Sequence, residues 1–96
     1  MARVSVADRA LSDLADLIES RSLPADARDR VRQSLVQLET FPRAGRMLTG
    51  RWRRFRLIIG PWSWLLLIYL YDEVDDTVTV IAVQDARSAA SATAET

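Results

Sequence analysis

Hydrophobic positions along the chain change period twice, and each change marks an element. Val4 and Val6 alternate with polar neighbours over residues 3–6, the pattern of a short strand. Asp8 follows as a candidate helix N-cap, because a carboxylate there accepts orphan backbone N–H groups. Leu11, Leu14, Leu17 and Ile18 then fall on one helical stripe, with Asp13, Asp16 and Glu19 on the wet side. Ser22-Leu23-Pro24 interrupts the pattern, with Pro24 placed to open a second helix, where its missing N–H costs nothing. Ala27, Val31, Leu35 and Leu38 predict an amphipathic helix of about 16 residues. Phe41-Pro42 ends it, since the residue before proline is pushed out of the α region. The short connection implies an antiparallel helical hairpin.

Residues 43–50 read as a loop containing Gly45 and Gly50. From there the period becomes two. In 51–59, Phe55, Leu57 and Ile59 alternate against Arg54, Arg56 and Ile58. Gly60-Pro61 is a turn signal. Residues 62–71, with only Ser63 polar, predict a long central strand buried on both faces. Residues 72–76 are a polar connection. Thr77–Val83 predicts a strand with Val78, Val80 and Ala82 on one face. Short links make these three strands an antiparallel meander. The expected fold is therefore a single α+β domain over residues 1–88. It has a short N-terminal strand, an antiparallel helical hairpin and a three-stranded antiparallel meander. Residues 89–96, small and polar, are expected to form a flexible C-terminal tail.

Composition narrows the chemistry. A chain of 96 residues supports one core. It has no cysteine and no histidine, so neither a disulfide, a zinc site nor a histidine general base is expected, and no metal or cofactor is. The most apolar run, residues 62–71, is half the length of about 20 that a membrane helix needs. No apolar leader pattern opens the chain. A cytoplasmic location without a membrane partner is the expectation.

The zero net charge hides a basic centre, because residues 40–71 carry six arginines and no acid. A GC-rich coding sequence accounts for arginine over lysine, but not for the clustering. Strand alternation puts Arg54 and Arg56 on one face and Arg51 and Arg53 on the other. Two readings of this strand stand side by side: contact with phosphate or nucleic acid, and a charged edge that discourages aggregation. Trp52, among the arginines, is the candidate for base stacking. Trp62 and Trp64 read as core or partner-binding residues, and Tyr69 and Tyr71 as core or rim. The acids at 72–76 read as a solvated turn. Arg87 either serves a site or pairs with Asp85.

Several pieces recur in one order: Asp8-Arg9-Ala10, Leu38-Glu39-Thr40-Phe41-Pro42, Arg54-Phe55-Arg56-Leu57, Ile68-Tyr69, the acidic turn and Val80–Arg87. Over residues 3–88 the chain thereby resembles the RelE/ParE superfamily of type II toxin–antitoxin toxins. The resemblance implies a growth-arresting toxin neutralised by a cognate antitoxin. Its target would be messenger RNA on the ribosome, as for RelE-like members, or DNA gyrase, as for ParE-like members. On the RelE-like pattern, Arg54, Arg56 and Arg87 would be catalytic residues of a metal-independent endoribonuclease. Arg46, Arg51, Trp52 and Arg53 would contact nucleic acid or the target. Two groups of that pattern are missing: Ser63 replaces an arginine of the third strand, and no tyrosine follows Arg87. Arginine is also a poor general base. These departures favour a non-enzymatic gyrase inhibitor, or a weak toxin that mainly binds its antitoxin. The basic strand favours the nuclease.

Overall fold

Five strands pair side by side in a computed structural model that describes residues 1–88 and 91. They are β1 (Arg3–Val6), β2 (Arg46–Met47), β3 (Arg56–Ile59), β4 (Leu65–Asp72) and β5 (Thr77–Asp85), in spatial order β1-β5-β4-β3-β2. Helices α1 (Asp8–Ser20) and α2 (Ala27–Thr40) stand between β1 and β2 in the chain. β3, β4 and β5 form the expected antiparallel meander, while β1 runs parallel to β5 with Val4 opposite Val78. The helical hairpin between β1 and the meander is the long connection that this parallel pairing needs.

The sheet carries a core on each face. On one side Ala10, Leu14, Val31, Leu35 and Leu38 of the helices meet Leu65, Leu67, Tyr69, Val78, Val80 and Val83. On the other side Leu57, Leu66, Ile68 and Ala82 are covered by Leu48, Trp52 and Phe55. β4 faces both cores, which is why its sequence is apolar without alternation. Its central position agrees with the expectation from 62–71.

The helices differ from the expectation in detail. Ala7 is the extended N-cap of α1, so Asp8 stands in the first helical turn and complements the positive helix pole there. Leu11 is 51% exposed, and Ala10 takes the inward position instead. Asp13 is not on the wet side, because its carboxylate accepts the Val83 N–H at 3.1 Å. α2 starts at Ala27 after an Asp26 N-cap, and it has 14 residues. Pro24 precedes it, its carbonyl accepting the Ala27 N–H at 3.0 Å. The inward positions Ala27, Val31, Leu35 and Leu38 are all buried as predicted.

The strand expectation over 51–59 fails in its first half. Gly50–Trp52 is a 3₁₀ turn that Gly50 enters at φ 65°, and Arg53 and Arg54 continue the turn. Only Arg56–Ile59 are strand. β2 lies in the segment expected to be loop. Trp62 and Trp64 precede β4, stacked in the turn after β3.

β5 carries a bulge. Ile68 is opposite Ala82 and Tyr69 is opposite Val80, leaving Ile81 as the extra residue. The bulge reverses the alternation beyond it. Val83, not Ala82, joins the helix-side core. Two residues further on, Asp85 also points to the helix side and Gln84 to the open side. The tail expected over 89–96 lies, Ser91 apart, outside the described residues.

Candidate functional site

The arginines expected to act together are set apart by the fold. Arg56 stands opposite Tyr69, so both side chains project from the helix side of the sheet. The Arg56 Nη1 donates to the Gly45 carbonyl at 2.9 Å and to the Arg43 carbonyl at 3.2 Å. The Tyr69 hydroxyl donates to the Pro42 carbonyl at 2.8 Å and accepts the Gly45 N–H at 2.9 Å. Burial pushes the Tyr69 hydroxyl above its ordinary pKa. A Cβ on Gly45 would come within 2.7 Å of that hydroxyl oxygen, so the loop closes only around glycine. Arg56 and Tyr69 together clasp the segment from α2 to β2.

Arg87 is held elsewhere. Its Nε and Nη2 donate to the Asp85 carboxylate at 3.0 and 3.1 Å, and its backbone N–H donates to the same group at 2.8 Å. Arg21, just beyond α1, pairs with Asp85 as well. The hydrogen bonds from Arg87 are the largest cause that lowers the Asp85 pKa to about 2, although its burial opposes the shift. Both arginines also lie over the Trp64 ring, Arg87 at 4.9 Å and Arg21 at 5.8 Å from its centroid. Trp64 stacks on Trp62 at 6.1 Å, and Arg30 of α2 lies over Trp62 at 5.7 Å. This ladder ties the tip of the helical hairpin to the β3–β4 turn. The bulge at Ile81 makes it, by turning Asp85 towards Arg21.

Arg56 and Asp85 are therefore separated by two strand spacings and by four residues along β4, roughly 16 Å on ordinary sheet dimensions. Arg54 is an exposed turn residue, so it shares no strand face with Arg56. The division of Arg51 and Arg53 from Arg54 and Arg56 by alternation falls with it. Arg46 lies opposite Leu57, which puts its exposed side chain on the open side. Arg53 is exposed in the turn. The acidic residues after β4 form a turn in which Asp72 accepts the Val74 N–H at 3.0 Å, and Glu73 pairs with Arg43.

What the fold does bring together lies on the open side. A concavity of about 450 Å³ is lined by Arg9, Arg51, Trp52, Phe55, Ile81 and Gln84. Trp52 meets Phe55 edge to face at 5.8 Å. The Trp52 Nε1 is buried and has no hydrogen-bond partner among the described residues. Arg9 and Gln84 also line a second concavity of about 300 Å³ that carries Asp13, Asp16 and Asp85. Arg51 and Trp52, expected as contacts, line this concavity; Arg9 and Gln84 were not among the expected residues. One signal was available for Arg9: a cation in the first turn of a helix faces the positive helix pole and weakens the helix.

The family model described as "ParE toxin of type II toxin-antitoxin system, parDE" matches residues 4–90. The chain belongs to the ParE toxin family. The ParE-family fold seen here is shared with solved toxins. The intact RelBE toxin–antitoxin complex of E. coli is 23% identical, with a TM-score of 0.65, covering 92% of this chain and 100% of the other. The RelBE2 complex of Mycobacterium tuberculosis is 21% identical, with a TM-score of 0.64, covering 88% and 96%. A double arginine-to-alanine mutant of E. coli RelE in the free state is 25% identical, with a TM-score of 0.66, covering 99% and 94%. Among curated proteins, no sequence matches this ParE-family chain. Among its described residues no helix is long and apolar enough to cross a membrane.

Proposed function

We propose that this chain is the growth-arresting half of a toxin–antitoxin pair and that it acts by occupying a protein target, DNA gyrase, rather than by cutting messenger RNA. One observation carries the reading. Arg54, Arg56 and Arg87 do not converge: Arg56 is engaged by loop carbonyls, Arg87 by Asp85, and Arg54 stands on an exposed turn. Metal-free RNA cleavage needs a base, an acid and charge compensation around one phosphate, within hydrogen-bond reach. Arg56 and Arg87 are each already engaged, and Arg56 lies roughly 16 Å from the Asp85 that holds Arg87, so the three arginines supply none of these around one phosphate. The ParE family match favours the gyrase side of the superfamily. A cognate antitoxin partner follows from the same family. The solved neighbours include toxin–antitoxin complexes and support that partner.

The test is induction in a bacterial host, with mapping of RNA 5′ ends and a supercoiling assay on purified gyrase. Gyrase inhibition predicts intact messages and lost supercoiling, the supercoiling restored by the antitoxin. Codon-phased cuts in translated messages, with gyrase unaffected, would establish the nuclease instead.

A further inference from the structure

The two concavities that meet at Arg9 and Gln84 carry opposite charge. We propose that they form one groove for an extended polypeptide segment of the toxin's target, with an acidic side chain at the Arg9 end and a basic one at the Asp13–Asp16 end. The inference rests on the reading of the chain as a protein-binding toxin and names the surface that does the binding.

Three observations converge. Arg9 is exposed and is placed against the positive pole of α1, where a cation weakens the helix. It has no hydrogen-bond or ion-pair partner among the described residues. An unpaired cation at that pole is open to an acidic ligand, whose charge would offset the cost. Next to it, Trp52 is fixed by its edge contact with Phe55 while its Nε1 stays buried and unpartnered, which itself opposes folding. The arrangement favours the position of the ring over the satisfaction of its donor, and it sets an aromatic wall beside the two guanidinium groups.

The third observation chooses the class of partner. Beyond Gln84 the groove runs past Asp13 and Asp16, one turn apart on α1 and so on one helix face. Asp85 is there too, but Arg21 and Arg87 neutralise it. A nucleic acid strand carries negative charge at every nucleotide and would be repelled as soon as it left the arginines. A polypeptide can change sign along its length and match both ends.

The test uses Arg9→Glu and Asp16→Arg, two substitutions at exposed helix positions, with helicity checked by circular dichroism and antitoxin affinity measured for each. Purified toxin is titrated into a gyrase supercoiling assay, and growth arrest is scored in cells. Each variant is expected to need about tenfold more protein for half-inhibition, while antitoxin affinity changes by less than about twofold. Unchanged inhibition in both variants would overturn the groove. So would lost antitoxin binding with inhibition retained, which would assign the surface to the antitoxin. So would binding of a single-stranded RNA 12-mer by the wild type that Arg9→Glu abolishes. If wild-type protein leaves gyrase unaffected, the functional reading fails by itself. Growth arrest in the two variants then still decides the groove: lost arrest supports it, and full arrest overturns it.

Discussion

The two faces of the sheet have apolar centres of similar make-up, yet they treat arginine differently. On the helix side the cations are built into the scaffold. Arg56 closes the loop after α2 through two carbonyls, and Arg21 and Arg87 share Asp85 over Trp64. On the open side no α-helix of the described residues covers the sheet, only the 3₁₀ turn that carries Trp52, and Arg9 stands beside that aromatic wall without a partner among the described residues. The difference lies in what each face meets. Where the fold sets a carbonyl or carboxylate within reach, an arginine becomes structure. Arg9, which reaches neither a carbonyl nor a carboxylate among the described residues, keeps its charge available.

The comparison can be broken by substitutions of decreasing effect. Leu67→Ala empties a fully buried position on the helix side and should cost about 2–5 kcal/mol in chemical denaturation. Ile59→Ala, at a half-exposed position on the open side, should cost far less, and equal costs would mean that the two faces are packed alike. Next is Asp85→Asn, which strands Arg21 and Arg87 and should cost about 2 kcal/mol at neutral pH. The Asp85 pKa is depressed from 3.8 to about 2 in the folded state, so its contribution is present above the unfolded value and is lost as pH falls through the folded one. Wild type should therefore lose stability between those two values more steeply than Asp85→Asn, and parallel pH curves would remove the ladder from the account.

Tyr69→Phe should cost about 1–2 kcal/mol, because the Gly45 N–H and the Pro42 carbonyl lose a partner. Faster proteolysis in the loop at residues 42–45 would show the clasp opening, and an unchanged cleavage rate would count against it. Smallest of all, Arg53→Ala should shift stability by no more than about 0.5 kcal/mol, since the side chain is an exposed turn residue.

Much of this architecture was legible in the sequence, and the failures have physical causes. The helix-to-strand order followed from period alone, and so did the inward residues of α2 and the doubly buried β4. Residues 51–59 read as strand because Phe55, Leu57 and Ile59 alternate with Arg54, Arg56 and Ile58, yet Gly50 at positive φ starts a 3₁₀ turn that this alternation does not reveal. β2 escaped because two residues carry no period. The bulge escaped because Ile81 and Ala82 are both apolar, and either could have faced the core. That one extra residue moved Asp85 to the helix side and Gln84 to the open side, each the reverse of what uninterrupted alternation gives. The groove was only half visible. Arg51 and Trp52 stood out by their neighbours, whereas Arg9 and Gln84 lie 75 positions apart and meet only because α1 packs along β5.

The most direct measurement is growth arrest by two variants compared in one induction experiment. Arg54→Ala removes a cation that the RelE-like pattern makes catalytic and that the structure places on an exposed turn; Arg9→Glu reverses the unpaired charge of the groove. With equal expression and equal antitoxin binding, the account predicts full arrest from Arg54→Ala and lost arrest from Arg9→Glu. Lost arrest from Arg54→Ala with full arrest from Arg9→Glu would contradict it.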